Sequence, residues 1–130
     1  MSQENVEIVK RAYADPRGMA AAAGDRVARD AVFDFTAVYP DRPVVRGVRE
    51  ARRLRAEGPW AELRFEPERF IDVDDERVLV FVKMTGVGEK SGVPAEGATA
   101  HEFTIRDGLL IRFKVYADRA TALEAAGLSD

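Results

Sequence analysis

The 130-residue sequence contains no cysteine and a single histidine, His101. The absence of cysteine excludes disulfides, thiolate metal sites and cysteine nucleophiles. Zinc and non-haem iron sites usually need several imidazole or thiolate ligands, so one histidine predicts a protein without a metal.

The sequence also lacks an excess of positive charge and a long apolar run. A net charge of −3 argues against the basic surface that binds nucleic acid or anionic lipid. No apolar stretch approaches the roughly 18 residues of a membrane-spanning helix, and residues 1–5 are polar and acidic. We therefore expect a cytoplasmic protein without a nucleic-acid or membrane partner.

What remains is an ordinary globular composition, with 46% apolar and 33% charged residues. A chain of this length buries one core, so we predict a single domain over residues 1–130.

The first half of the chain predicts three helices and one strand. Ser2 caps a helix that ends at Asp15-Pro16, because the residue before proline avoids the helical region. Apolar spacing predicts further helices at 19–29 and 47–57, with an alternating strand at 31–37 between them.

The second half predicts four strands, at 63–73, 77–87, 99–106 and 109–117, followed by a short helix at 120–127. Helices followed by a run of antiparallel strands indicate an α+β domain.

The turn at Asp107-Gly108 decides which side chains of the last two strands face the interior. A two-residue loop would place Arg112 beside Phe103, whereas a three-residue bulged loop places Phe113 there. We predict the bulged loop because it gathers the apolar side chains, and it puts Thr99 and His101 on the same apolar face.

The order of these segments resembles the SnoaL-like group of the nuclear transport factor 2-like superfamily. The similarity lies in residues 5–13 (NVEIVKRAY), 30–35 (DAVFDF), 46–48 (RGV), 106–108 (RDG), 116–119 (YADR) and 122–128 (ALEAAGL). One departure is the short link at 15–17, where relatives have a longer first helix. The resemblance implies a curved antiparallel sheet wrapped around three N-terminal helices, forming a cone with a small-molecule pocket.

The resemblance implies no single activity, since the superfamily includes isomerases, cyclases and proteins without catalysis. One reading is a cofactor-independent isomerase or cyclase acting on a hydrophobic ligand. The alternative is a non-catalytic ligand-binding or dimeric interaction module with a filled pocket.

The catalytic groups of ketosteroid isomerases are missing from the matching positions. The base on the first strand falls at Phe35, and the tyrosine on the first helix falls near Ala12. Asp34 is one residue out of phase, so we expect it to face away from the pocket.

The resemblance leaves two catalytic candidates. His101 stands where isomerases have their second oxyanion-hole acid, and it is an acid or base with Thr99 to orient it, or a structural core histidine. Asp118 matches a cyclase carboxylate, or it caps the following helix.

The predicted pocket lining is mainly aromatic. Tyr13 and Tyr39 are candidate phenolic donors at the pocket mouth. The remaining lining residues are Phe33, Phe35, Trp60, Phe65, Thr99, Phe103, Phe113 and Val115.

The strand at 77–87 is apolar on both faces, so both faces must be covered. With Leu110 and Tyr116 also placed on the outer face, this pattern predicts a homodimer formed sheet to sheet.

Overall fold

A computed structural model shows an α+β fold in which helices pack on both faces of a six-stranded sheet. It describes residues 2–15, 26–37, 44–56, 60–88, 90 and 92–128. None of the described helices is long and apolar enough to cross a bilayer. The elements are α1 (Ser2–Ala14), β1 (Val27–Asp34), β2 (Val44–Arg46), α2 (Val48–Ala56), β3 (Trp60–Asp72), β4 (Arg77–Gly88), β5 (Pro94–Arg106), β6 (Leu109–Tyr116) and α3 (Arg119–Ala125).

The strands lie in the order β2-β1-β6-β5-β4-β3. The sheet is mixed rather than antiparallel throughout, because β1 runs parallel to β6 while the other neighbours are antiparallel. A parallel pair needs a long connection, and these two strands are separated by most of the chain.

The predicted helix at 19–29 is wrong at its carboxyl end. Residues 27–29 belong to β1, where Val27 and Ala28 pack against the core; residues 19–25 lie outside the described part of the chain. Strand β2 was not predicted, because three residues are too few to show an alternating pattern.

The two faces of the sheet carry two separate apolar clusters. On the inner face, Val78 and Val80 of β4 pack with Val6 and Val9 of α1. On the outer face, a second cluster comprises Leu79, Ala100, Tyr116, Ala122 and Ala126, the last two in and just after α3. The doubly apolar strand therefore has its outer face covered within the same chain.

The hairpin between β5 and β6 turns on Asp107 and Gly108. Both residues have positive φ angles, 53° and 78°, and Arg106 pairs directly with Leu109. Our three-residue loop is therefore wrong, since Asp-Gly favours the two-residue turn that matches strand twist.

A bulge in β6 nevertheless restores the predicted phase. The register shifts between Thr104 and Ile105, and Phe103 then faces Phe113 as expected. The shift also brings Leu110, which we had placed on the outer face, against the inner core. The extra residue of the bulge thus changes the face of the following side chains, an effect that we had predicted from a longer loop.

Candidate active site around His101

His101 lies near the centre of the sheet, on its inner face. It pairs with Val80 of β4 on one side and with Val115 of β6 on the other. Only 1% of its surface is exposed. An imidazole in this position is removed from water on every side.

Among the described side chains, four aromatic rings surround the imidazole. The edge-on neighbours Phe65 and Phe113 have ring centroids 4.9 Å and 5.0 Å from that of His101. The ring of Tyr13 lies nearly parallel to the imidazole at 6.0 Å, and Phe103 is 6.5 Å away. The ring contacts of His101 in the described part of the chain are therefore apolar apart from the phenol of Tyr13.

The Tyr13 hydroxyl forms a hydrogen bond with Nδ1 of His101, with an oxygen–nitrogen distance of 2.6 Å. Tyr13 reaches the sheet because it follows Val6 and Val9 at helical spacing, on the buried face of α1. We expected this tyrosine at the pocket mouth. The helical spacing of Val6, Val9 and Tyr13 already indicated in the sequence that Tyr13 points inward.

Two polar atoms on the inner face of β5 have no hydrogen-bond partner among the described residues. They are Nε2 of His101 and Oγ1 of Thr99, and both are buried. Thr99, which we expected to orient the imidazole, makes no hydrogen bond to it. A buried polar group without a partner destabilises a fold by about 1–3 kcal/mol, so such atoms are candidates for contact with a ligand.

Both titratable groups of the pair are held in their neutral forms. Burial lowers the pKa of His101 to about 3. Burial likewise raises the pKa of Tyr13 well above its usual value of 10. At neutral pH the site therefore contains an uncharged imidazole and an uncharged phenol.

Neither the candidate Asp118 nor Asp34, which we expected to face away from the pocket, bonds to His101. Asp34 lies 3.7 Å from Arg112 and 4.0 Å from Lys114. Asp118 accepts a hydrogen bond from the Thr121 backbone N–H at 2.7 Å and caps α3. No carboxylate of the described residues hydrogen-bonds to the imidazole.

Some of the remaining predicted lining residues lie on the inner face, and two have side chains that are not described. Phe33, Phe35 and Phe113 form a second aromatic group, with ring centroids 6.0–6.3 Å apart. Val115 is buried beside it. Tyr39 and the side chain of Trp60 lie outside the described part of the chain.

Within the described ranges, no three His, Cys, Asp or Glu side chains are grouped so that they could hold a metal ion. The fold and site define a small α+β protein with one neutral imidazole in an aromatic interior. The sequence matches the SnoaL-like domain over residues 11–113, and the chain belongs to this family.

Solved structures of low sequence identity share the whole fold. TerC, crystallised with polyporic acid, is 20% identical with a TM-score of 0.75, over 95% of this chain and 98% of that one. A protein from Jannaschia sp. CCS1, described as a SnoaL-like polyketide cyclase, is 20% identical with a TM-score of 0.72, over 98% of this chain and 94% of that one. An NTF2-like protein from Burkholderia xenovorans LB400 is 28% identical with a TM-score of 0.71, over 95% of each chain. No curated protein matches the sequence.

Proposed function

We propose that the protein binds a hydrophobic small molecule on the inner face of its sheet and isomerises or cyclises it without a cofactor. The observation that supports this function is the buried Nε2 of His101, which lies among aromatic rings and, like the nearby strand residue Thr99 through its Oγ1, has no hydrogen-bond partner among the described residues. A pocket of this kind binds through apolar contact and uses few polar groups for orientation.

In this proposal the aromatic rings supply contact area, and His101 supplies the chemistry. The rings of Phe65 and Phe113 suit a flat apolar ligand. Similar proteins crystallise with polyporic acid or trimethylamine, which supports small-molecule binding in this fold.

His101 is the acid or base of the proposed reaction. Its imidazole is neutral before the ligand binds, because burial lowers its pKa to about 3. Negative charge that develops on a bound ligand beside Nε2 stabilises the protonated ring and raises that pKa. Proton transfer is therefore coupled to the charge of the reacting molecule.

The single histidine makes this function testable by NMR. The His101 ring protons would be followed during titration with two hydrocarbon–ketone pairs: indane with 1-indanone, and fluorene with 9-fluorenone. We expect at least one compound to shift the His101 resonances and the neighbouring Phe65 and Phe113 resonances. If all four leave them unchanged, the binding function is refuted for flat ring compounds.

A catalytic role needs a separate measurement. 1-Indanone, which has acidic C–H protons beside its carbonyl, would be incubated in deuterated water, and exchange of those protons would be followed for the wild type and for His101→Gln. Faster exchange with the wild type alone supports His101 as acid or base. Equal exchange for both proteins contradicts it.

The second candidate function is a non-catalytic module whose interior is filled by its own side chains. The observation that favours it is the close aromatic packing on His101, which leaves only 1% of the residue exposed. His101 resonances that none of the four compounds shifts would support this candidate.

The homodimer and the cytoplasmic location stay predictions from the sequence. Since α3 covers Leu79 on the outer face, the apolar pattern of β4 has an explanation within one chain. Sedimentation equilibrium distinguishes a 14.4 kDa monomer from a dimer of twice that mass.

A further inference from the structure

The hydrogen bond between Tyr13 and His101 allows two arrangements of protons. In the first, the phenol donates to the Nδ1 lone pair, and the ring proton is on Nε2. In the second, the ring proton is on Nδ1 and is donated to the phenolic oxygen, which leaves a lone pair on Nε2. Nε2 is therefore a hydrogen-bond donor in the first arrangement and an acceptor in the second.

The surroundings of Tyr13 favour the first arrangement. Among the described residues, the hydroxyl of Tyr13 has one hydrogen-bond partner, Nδ1 of His101. The second arrangement would leave both the phenolic proton and the Nε2 lone pair unpartnered in an apolar interior. The first leaves a single unpartnered group, the Nε2 proton.

The chemistry of the two groups favours the same arrangement. An imidazole nitrogen is the stronger base of the pair, and a phenol is a good donor when it remains uncharged. No carboxylate of the described residues bonds to the ring, so the Tyr13 hydroxyl is the group that selects its tautomer.

We propose that Tyr13 is a positioning residue that holds His101 as the Nε2–H tautomer, so that the site selects ligands presenting a carbonyl oxygen. This inference rests on the proposed binding function and specifies its ligand class. It also decides between the two proposed roles of His101: with its proton on Nε2, the ring donates to the ligand oxygen as the acid and does not act as the base. Thr99 lies two residues away on the same face of β5, and its unpartnered hydroxyl adds a second polar contact. The ligand class is a flat, apolar ring compound with an oxygen acceptor.

The tautomer can be measured without any ligand. Nitrogen-15 NMR of the labelled protein distinguishes the protonated from the unprotonated ring nitrogen of the single histidine. We expect Nε2 to be protonated and Nδ1 to be an unprotonated, hydrogen-bonded nitrogen. In Tyr13→Phe the Nδ1 signal moves toward that of a free nitrogen, whereas in Thr99→Val it stays in place. A wild-type ring protonated at Nδ1 overturns the inference, whatever compounds the protein binds.

The ligand class is tested with one matched pair, 9-fluorenone and fluorene, which differ in the ketone oxygen. We expect the ketone to bind about tenfold more tightly, as one hydrogen bond to a buried donor predicts. The preference should fall in Tyr13→Phe while the affinity for fluorene is retained. Equal affinities of the two compounds for the wild type overturn the inference but leave the binding function intact. Failure of both compounds and of the indane pair refutes the binding function for flat ring compounds, and this inference with it.

Discussion

His101 and Glu102 are consecutive residues of β5 that are buried on opposite faces of the sheet in different ways. Glu102 is 3% exposed, and its carboxylate lies 3.8 Å from Arg77 and 3.6 Å from Arg112. His101 is 1% exposed and is surrounded by aromatic rings, with the Tyr13 hydroxyl as its partner. The outer face therefore compensates a buried charge with two cations, whereas the inner face keeps its polar group neutral.

The outer face is arranged for stability, whereas the inner face has the features of the proposed site. On the outer face, opposite charges offset the desolvation of Glu102. Oε2 of Glu102 also lacks a hydrogen bond among the described residues, but the Arg77 cation lies 3.8 Å from it. On the inner face, Nε2 of His101 and Oγ1 of Thr99 are uncharged and have no hydrogen-bond partner among the described residues. Buried polar atoms that cost stability without a hydrogen bond are expected at functional sites.

The largest expected effect comes from removing both cations beside Glu102. We expect Arg77→Met with Arg112→Met to lower the free energy of unfolding by about 2–3 kcal/mol, because the carboxylate would remain buried without compensation. Urea unfolding measures the loss. The control is the same pair of substitutions in Glu102→Gln, where the loss should be much smaller. Equal losses in both backgrounds would show that the cations do not compensate Glu102.

Acid should lower the free energy of unfolding through His101 at a higher pH than through Asp34. The unfolded chain binds a proton at His101 near pH 6.5, but the folded chain binds it only near the lowered pKa of about 3. Stability is therefore lost as pH falls below 6.5, by about 2 kcal/mol between pH 8 and pH 5.

His101→Gln is the matched control for this pH dependence, and its stability should be nearly constant over the same interval. Hydrogen bonds and nearby cations lower the pKa of Asp34 despite its burial, so that carboxylate affects stability only below about pH 4. A wild type that is equally stable at pH 8 and pH 5 would contradict the neutral, buried imidazole.

Removing the hydroxyl of Tyr13 should have a somewhat smaller effect. Tyr13→Phe leaves Nδ1 of His101 without a partner, and we expect a loss of about 1.5 kcal/mol. In His101→Leu the same substitution should be nearly neutral, because both polar groups are then absent. A double-mutant cycle measures this coupling. Additive effects would mean that the hydrogen bond contributes nothing to stability.

The smallest expected effect has the opposite sign. Thr99→Val replaces an unpartnered buried hydroxyl with a methyl group, so we expect the protein to become more stable by about 1 kcal/mol. The control is Thr104→Val on the same strand, at a half-buried position of the other face. Destabilisation by Thr99→Val would show that the hydroxyl already has a partner in solution.

The sequence predicted the faces of the last two strands better than it predicted their contacts. The alternation of Phe103 and Phe113 with charged residues was enough to place His101 inward, and the structure agrees. The hydrogen bond from Tyr13 spans 88 residues. It depends on how α1 docks on the sheet, which local periodicity does not specify.

Other predictions failed where local propensity and tertiary packing disagree. The alanine-rich segment before β1 favours a helix, yet Val27 and Ala28 extend the strand because they pack against the inner core. The burial of Glu102 was equally hidden in the sequence. It results from two arginines that approach it from neighbouring strands.

The most direct test of a ligand site at His101 is a crystal structure of the protein with 9-fluorenone. We expect the ring system to lie against Phe65 and Phe113, with the ketone oxygen within hydrogen-bond distance, about 2.7–3.2 Å, of His101 Nε2. A compound bound only on the outer face, or an inner face that stays closed around His101, would contradict this site.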